Sequence, residues 1–273
     1  MRPSDQVNYI LAEWFVRAAH RHEVEVYAVF CASDHWHAIL RCPRGNLDEF
    51  VRYFESYAAR FLNVHWMRSG TVFPRRYSAE PILDDDALVD KIVYVLTNPA
   101  KSHLVETVDD WPGFSSAPEA LKNQKRTFRI FHRSRWHKAG CPKDKSRFME
   151  DLSLAIAAPP CWRSLSAKER ARRLRELVQA REEEFRKARK AAGIRVLGVR
   201  AILAARRTDR PRHINTSPRP LCHASTKALW MEYRDARQRF VYLYRIASQK
   251  YRAGERGVEF PEGSFPPWLR KAG

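Results

Sequence analysis

Cys31-Ala32-Ser33-Asp34-His35-Trp36-His37-Ala38-Ile39-Leu40 is the stretch of this chain that decides its fold. The pattern predicts a strand that carries two histidines separated by one bulky apolar residue. Successive side chains of a strand point to opposite faces, so His35 and His37 share one face and Trp36 lies on the other. The apolar face is suited to packing against helices. The two neutral imidazoles supply half of a metal site.

The histidine pair alone does not decide between a metal site and ordinary core or surface histidines. The chain has ten histidines, so a His-x-His triplet is expected fairly often from composition. A second triplet, His20-Arg21-His22, falls at the end of a predicted helix. Residues two apart on a helix point in different directions, so that triplet cannot bind one metal ion.

Patterns around the histidine strand predict one small sheet with helices on one face. Apolar residues at helical spacing follow Ser4, a plausible N-cap, and recur between Leu47 and Leu62. Residues 24–30 predict a strand, residues 78–83 predict an edge strand, and a third helix is predicted from about Asp86 to Asn98. We therefore expect an α+β sandwich.

The second informative stretch is Tyr94-Val95-Leu96-Thr97-Asn98-Pro99, at the end of this third helix. Tyr94 and Asn98 are four residues apart and share a helical face, on the polar side of the helix. A tyrosine that served only the core would lie on the apolar side. Because Pro99 disfavours helical geometry at Asn98, we expect the amide on a frayed last turn, where it could bind a metal. The alternative is that Asn98 is simply a helix-end residue before a proline.

The net charge of +19 is unevenly distributed along the chain. Residues 1–120 hold 12 Lys and Arg against 17 Asp and Glu, whereas residues 121–273 hold 38 against 14. Such an excess attracts polyanions through the release of counterions, and nucleic acid is the favoured partner. No lipid-anchoring segment accompanies the charge, so a membrane surface is the weaker interpretation.

Several classes of protein are disfavoured by the composition. The chain has no run of 18 apolar residues and no apolar signal-peptide region, so no membrane association is expected. The five cysteines are widely spaced and odd in number, which favours free thiols. We expect a soluble, cytoplasmic and nucleoid-associated protein.

Five ordered segments within residues 4–116 resemble the HUH single-tyrosine (Y1) transposases of the IS200-like superfamily, most closely the REP-associated tyrosine transposases of bacteria. The segments are His35-Trp36-His37, Phe73-Pro74-Arg75-Arg76-Tyr77, Tyr94-Val95-Leu96-Thr97-Asn98-Pro99, Leu104-Val105-Glu106 and Asp110-Trp111-Pro112-Gly113-Phe114-Ser115-Ser116. Their order and spacing are far more specific than any one of them.

The resemblance implies a ferredoxin-like HUH endonuclease sandwich and a set of site residues. By match to the family motif, His35, His37 and Asn98 bind Mg²⁺ or Mn²⁺, and Tyr94 attacks single-stranded DNA. The implied activity is a transposase or endonuclease that nicks and rejoins single-stranded hairpin DNA through a 5′-phosphotyrosine intermediate. The covalent bond retained in that intermediate makes rejoining to another strand feasible without ATP.

Basic residues near these motifs are candidates for binding the unpaired strand. Arg75, Arg76 and Lys101 supply the cations, and aromatic side chains supply stacking surfaces. The sequence does not fix the oligomeric state, and a homodimer is one arrangement that it allows.

Two departures from the family pattern open a rival hypothesis. The family begins with a central β-strand before its first helix, whereas only three residues precede Ser4 here. Either the start codon is misassigned or the copy is truncated, and a missing strand would leave unpaired ladder groups. Trp36 also stands where aliphatic residues are usual. The rival is a catalytically inactive, truncated derivative that acts as a nucleic-acid-binding protein.

We divide the chain into three segments on these grounds. Residues 1–116 form the predicted transposase domain. Residues 117–162, rich in Pro, Lys, Arg and His, are predicted as a linker or extended arm. Residues 163–273 are predicted as a basic helical extension, because a Ser-Ala-Lys-Glu capping box at Ser166 begins a charged helix.

Overall fold

The computed structural model describes residues 1–206, 209, 219–264 and 266 of the chain. Within these residues the fold is α+β, with two small antiparallel sheets, β1–β2 and β3–β4. The strands are β1 (Glu25–Cys31), β2 (Trp36–Arg41), β3 (Thr127–Phe131) and β4 (Met149–Ser153). The helices are α1 (Asp5–His22), α2 (Leu47–His65), α3 (Asp85–Lys101), α4 (Ala117–Lys122), α5 (Arg133–Lys138), α6 (Ala167–Ala191), α7 (Val199–Ala204) and α8 (Lys227–Arg252).

The chain divides into two compact units. The first comprises residues 1–78 and 89–215, and the second comprises residues 79–88 and 216–273. These bounds differ from the three segments defined from the sequence. Of the predicted extension, residues 207–208, 210–218, 265 and 267–273 lie outside the described residues. No helix in the described part of the chain is both long and apolar enough to cross a bilayer.

The histidine stretch forms a turn and a strand rather than one continuous strand. Cys31 ends β1, and residues 32–35 turn the chain back so that β2 pairs antiparallel with β1. The N–H of Ala32 donates to the carbonyl of His35 across this turn, at 2.9 Å. His35 therefore lies in the turn, whereas His37 lies in β2 opposite Phe30.

Helices α1 and α2 cover the face of the β1–β2 sheet that carries Trp36. The Trp36 ring lies against Phe15 of α1 and Phe54 of α2, with centroid separations of 6.4 and 5.2 Å. Its indole Nε1 donates to Oε1 of Glu55 at 3.0 Å. The core therefore accommodates the large residue between the histidines, with its polar atom satisfied. Helix α1 begins as predicted, since Ser4 Oγ accepts from the N–H of Val7 at 3.3 Å.

The other edge of β1 is hydrogen-bonded as well. Cys31 N–H donates to the Phe114 carbonyl, and Ser116 N–H donates to the Val29 carbonyl, each at 2.9 Å. Ser116 Oγ accepts from Val29 N–H at 2.9 Å, and Ala157 N–H donates to a second β1 carbonyl at 2.8 Å. Residues 114, 116 and 157 thus form hydrogen bonds with ladder groups of β1 that were expected to be unpaired.

The prediction of a linker or extended arm over residues 117–162 is wrong. This segment forms α4, the β3–β4 hairpin and α5, and it contributes to the core of the first unit. Ile130 is fully buried and Leu154 is 3 % exposed. In the sequence, the many basic residues of this segment masked a short alternation of apolar residues. In the structure, these apolar residues pack against α1.

The predicted edge strand over residues 78–83 is also wrong. Only one isolated bridge forms there, in which Ile82 pairs with His223 inside the second unit. Helix α8 of that unit is capped by Thr226, whose side chain accepts from Leu229 N–H at 3.3 Å. The only buried residue of α8, which the structure describes over its whole length, is Ala247. Helix α6 belongs to the first unit, where its apolar side chains pack on α4.

Candidate active site

The two histidines lie side by side at the start of β2. The ring centroids of His35 and His37 are 4.8 Å apart, and the rings are nearly perpendicular. The side chain of His35 is 49 % exposed, whereas Trp36 between them packs into the core on the other face. The alternation predicted from the sequence is therefore present, and it places two imidazoles next to each other at the protein surface.

Asp34 fixes the orientation of the first imidazole. His35 Nδ1 donates to Oδ1 of Asp34 at 2.7 Å. This hydrogen bond holds the pKa of Asp34 below its ordinary value. With Nδ1 protonated, Nε2 of His35 becomes the ring nitrogen with a free lone pair for a metal. Asp34 is thus an outer partner of the histidine pair, a role that the sequence analysis did not assign.

Tyr94 on α3 reaches the same place from a distant part of the chain. Its ring centroid lies 6.3 Å from that of His37, at a steep angle. The side chain is half-buried. The tertiary structure therefore brings together the tyrosine and the histidine pair, which are 57 residues apart along the chain from His37 to Tyr94.

Two lysines flank the Tyr94 ring. Nζ of Lys101 lies 4.3 Å from the ring centroid, and Nζ of Lys91 lies 5.3 Å from it. Lys101 was predicted from the sequence as a DNA-binding residue, whereas Lys91 was not. Its position three residues before Tyr94, on the same helical face, was the signal that could have identified it. Lys91 also pairs with Asp90 at 3.2 Å, whereas Lys101 is the nearer of the two cations to the ring.

Asn98 lies in a regular and buried part of α3 rather than on a frayed turn. The helix continues through Pro99 to Lys101, and Asn98 is 5 % exposed. Its Oδ1 accepts from Ser102 Oγ at 3.3 Å. Burial of the surrounding turn, in which Ala100 is fully inaccessible, overrides the local effect of the proline. Asn98 shares the helical face of Tyr94, but its role as a ligand stays a prediction.

Arg75 and Arg76 are exposed on the segment between α2 and α3. Among the described residues, neither forms an ion pair or side-chain hydrogen bond with the histidines or with Tyr94. Their predicted contact with an unpaired strand stays a prediction.

The side chains near Tyr94 supply only some of the ligands that a divalent metal ion needs. Within the described ranges, no three His, Cys, Asp or Glu side chains converge. His35 and His37 bring two imidazole side chains together, and Asp34 fixes the tautomer of the first. Mg²⁺ and Mn²⁺ complete their coordination readily with water and phosphate oxygens, so two protein ligands and an amide are compatible with such an ion.

Comparisons with known proteins add no relative to this description. No family model matches the chain, and neither a curated protein nor a solved structure matches it.

Proposed function

We propose that this chain is a metal-dependent endonuclease or transposase of the HUH single-tyrosine type, which nicks and rejoins single-stranded DNA. The observation that carries the proposal is the approach of the Tyr94 ring to the His35–His37 pair, with the ammonium groups of Lys101 and Lys91 over the same ring. A nucleophile, two metal-ligand side chains and two cations in one place match the requirements of phosphodiester transfer.

In the proposed reaction the Tyr94 oxygen attacks the phosphorus of a phosphodiester. A P–O bond to tyrosine forms while the bond to the 3′ oxygen breaks. The phenol proton leaves to solvent, and the departing 3′ oxygen takes up a proton, which gives a 5′-phosphotyrosine and a free 3′-OH. Since one phosphate ester replaces another, the 3′-OH of another strand can reverse the step and rejoin the DNA.

The side chains around Tyr94 have separate tasks in this proposal. Lys101 and Lys91 bind the phosphate at the ring. His35 and His37, with Asn98 as a third ligand, would hold Mg²⁺ or Mn²⁺, which supplies Lewis-acid activation of the phosphate when bound. Asp34 keeps the His35 ring in the ligating tautomer.

The finer assignments belong to the same proposal. We infer a ferredoxin-like HUH architecture, a REP-associated type of element, hairpin-bearing DNA as the substrate and a cytoplasmic, nucleoid-associated location. They are supported by the ordered motifs from His35 to Ser116 and by the cationic second part of the chain.

The test is covalent capture of a labelled single-stranded hairpin oligonucleotide in the presence of Mn²⁺. The wild-type chain should form an adduct that survives denaturing electrophoresis. Tyr94→Phe removes the attacking oxygen and keeps the ring contacts with His37 and Lys101, so it should abolish the adduct and leave DNA binding unchanged.

Tyr77→Phe is the matched control, because it deletes a phenol oxygen at another partly buried tyrosine in the motif region. This variant should form the adduct at the wild-type rate. An adduct that persists in Tyr94→Phe and disappears in Tyr77→Phe would transfer the nucleophile to Tyr77.

One observation favours the second candidate, a nucleic-acid-binding protein without catalysis. The Asn98 amide is buried and its oxygen already accepts from Ser102 Oγ at 3.3 Å, so this side chain has a structural role without any metal ion. If the wild-type chain binds several hairpin substrates but forms no adduct with Mg²⁺ or Mn²⁺, this candidate replaces the nuclease.

A further inference from the structure

The connection between β3 and β4 carries a strong excess of positive charge. Residues 132–148 hold six Lys and Arg and one acidic residue, Asp144. We call residues 127–153, from the start of β3 to the end of β4, the basic lobe. All six cationic side chains are exposed. The Asp144 carboxylate accepts from the N–H and Oγ of Ser146, each at 2.8 Å, and its charge interacts with Arg147 without a direct ion pair.

The basic lobe is a folded surface with a fixed shape. Its aromatic residues pack on each other, with the Phe131 and Trp136 ring centroids 5.7 Å apart. Trp136 Nε1 donates to the Pro142 carbonyl at 2.9 Å, and Nζ of Lys145 lies 5.2 Å from the Trp136 ring. These contacts fix the path of the connection, so its cations are held on an ordered scaffold.

The basic lobe is attached to α1. Arg17 Nη2 donates to the Phe131 carbonyl at 2.8 Å, and the His20 ring contacts the Ser153 carbonyl at 3.0 Å. Helix α1 covers the face of the β1–β2 sheet that carries Trp36. The lobe therefore lies on the same side of the β1–β2 sheet as α1. The histidine pair lies on the other side of that sheet.

Four cations of the basic lobe have no carboxylate partner. Among the described residues, Arg135, Lys138, Lys143 and Arg147 form no ion pair. The basic helix α6 is different, because several of its arginines pair with acidic residues on the same helix. Unpaired cations on an ordered surface are available to an anionic partner, and their counterions are released when it binds.

We propose that the basic lobe binds the phosphate backbone of double-stranded nucleic acid, independently of sequence. Its aromatic rings are packed against each other and against Lys145, so they are not presented for base stacking as on single-strand binders. The same packing withholds them from insertion into a membrane interface. The exposed groups are charged donors, which suit phosphate contacts along a duplex or a hairpin stem.

This inference takes one point from the proposed function, namely that the partner is a nucleic acid. The chemistry at Tyr94 is not required for it. A duplex bound at the lobe would be a second point of contact for a DNA that carries a hairpin stem beside a single strand.

The test measures binding of the full chain to a blunt-ended DNA duplex over a range of salt concentrations. The lobe variant carries Arg135→Gln, Lys138→Gln, Lys143→Gln and Arg147→Gln. All four side chains are exposed, so the melting temperature should stay close to that of the wild type. We expect weaker binding and a plot of log K against log salt that is shallower by about 0.9 for each phosphate that the lobe no longer neutralises, or about 2 to 4 in total.

The matched control removes the same charges from α6. It carries Arg172→Gln, Arg186→Gln, Lys187→Gln and Lys190→Gln, which are also exposed. Its salt dependence should stay near that of the wild type. Equal changes in the two variants would overturn the proposal, because they would mean that only the overall charge matters.

Two further measurements separate the alternatives. An unchanged salt slope in the lobe variant, with adduct formation at Tyr94 intact, overturns the lobe proposal and spares the nuclease. Loss of binding to phosphatidylserine vesicles in the lobe variant, with duplex binding unchanged, would instead assign the surface to membranes. Duplex binding by Tyr94→Phe should equal that of the wild type even if no adduct ever forms.

Discussion

His35 and His37 have different surroundings in the structure. His35 is oriented by the Asp34 carboxylate at 2.7 Å, whereas His37 lies in β2, beside the Tyr94 ring. An imidazole with a fixed tautomer binds a divalent ion without first reorganising, so Asp34 contributes to affinity without being a ligand. Single residues at this place are therefore expected to act through metal binding.

We predict that His35→Ala and His37→Ala each lower the affinity for Mn²⁺ by about tenfold or more, since each removes an imidazole ligand. Asp34→Asn should cost about tenfold, because it removes the negative charge that orients His35. Asn98→Ala should have a smaller effect, since a neutral amide is the weaker ligand. Calorimetric titration with Mn²⁺ measures all four.

His65→Ala is the control for this series, because His65 is an exposed histidine at the end of α2. Unchanged Mn²⁺ affinity in both His35→Ala and His37→Ala would remove the metal site from the proposal. Unchanged affinity in Asn98→Ala alone would make Asn98 a helix residue and leave the third position to another oxygen ligand.

At the scale of secondary structure, α6 holds α3 in place. Arg189 is 3 % exposed, and its Nη1 donates to the Ala100 carbonyl at the end of α3, at 3.1 Å. Its Nη2 pairs with Glu106. About two turns earlier on α6, Arg181 pairs with Asp90 on α3 at 3.1 Å. The helix predicted as part of a basic extension thus fixes the helix that carries the proposed nucleophile.

Arg189→Met should lower the free energy of unfolding by about 2 to 4 kcal/mol. It keeps most of the side-chain volume but removes one of the two donors to the Ala100 carbonyl, the other being the His103 N–H, and takes the ion-pair partner from Glu106. Arg172→Met is the control, because Arg172 forms only an exposed pair with Glu176 on its own helix and should cost less than about 0.5 kcal/mol. Urea denaturation followed by circular dichroism compares the two. Equal losses of unfolding free energy in the two variants would contradict the role of α6 in holding α3 in place.

At the scale of the whole molecule, the acidic and basic parts of the chain are not separable. Ile130 and Leu154 of the second part are buried in the core of the first unit, and Ala157 hydrogen-bonds to β1. The change from net negative to net positive charge near residue 120 is therefore a property of the surface. It is not a boundary between independently folded parts of the chain.

Deletion of residues 121–273 should consequently unfold the remainder rather than only weaken its binding to nucleic acid. The deletion removes buried apolar side chains and one of the hydrogen-bond partners of the β1 edge. Loss of the cooperative thermal transition in the truncated chain is the expected result. A truncated chain that melts cooperatively near the wild-type temperature would show that residues 1–120 fold alone.

The sequence alone determined the local elements and the chemical types at the site. Ser4 began α1 as predicted, and the alternation of strand β2 put Trp36 and His37 on opposite faces. These features depend on contacts between residues close in the chain, so periodicity is enough to predict them.

The tertiary structure decided what distant segments do for one another. Pro99 predicted a frayed turn, but burial around Ala100 and the hydrogen bond from Arg189 keep α3 helical to Lys101. Ser116 satisfies the free edge of β1 from 87 residues away, which no local pattern could indicate. Burial and long-range hydrogen bonds depend on which surfaces meet in three dimensions, and that is why only the folded chain reveals them.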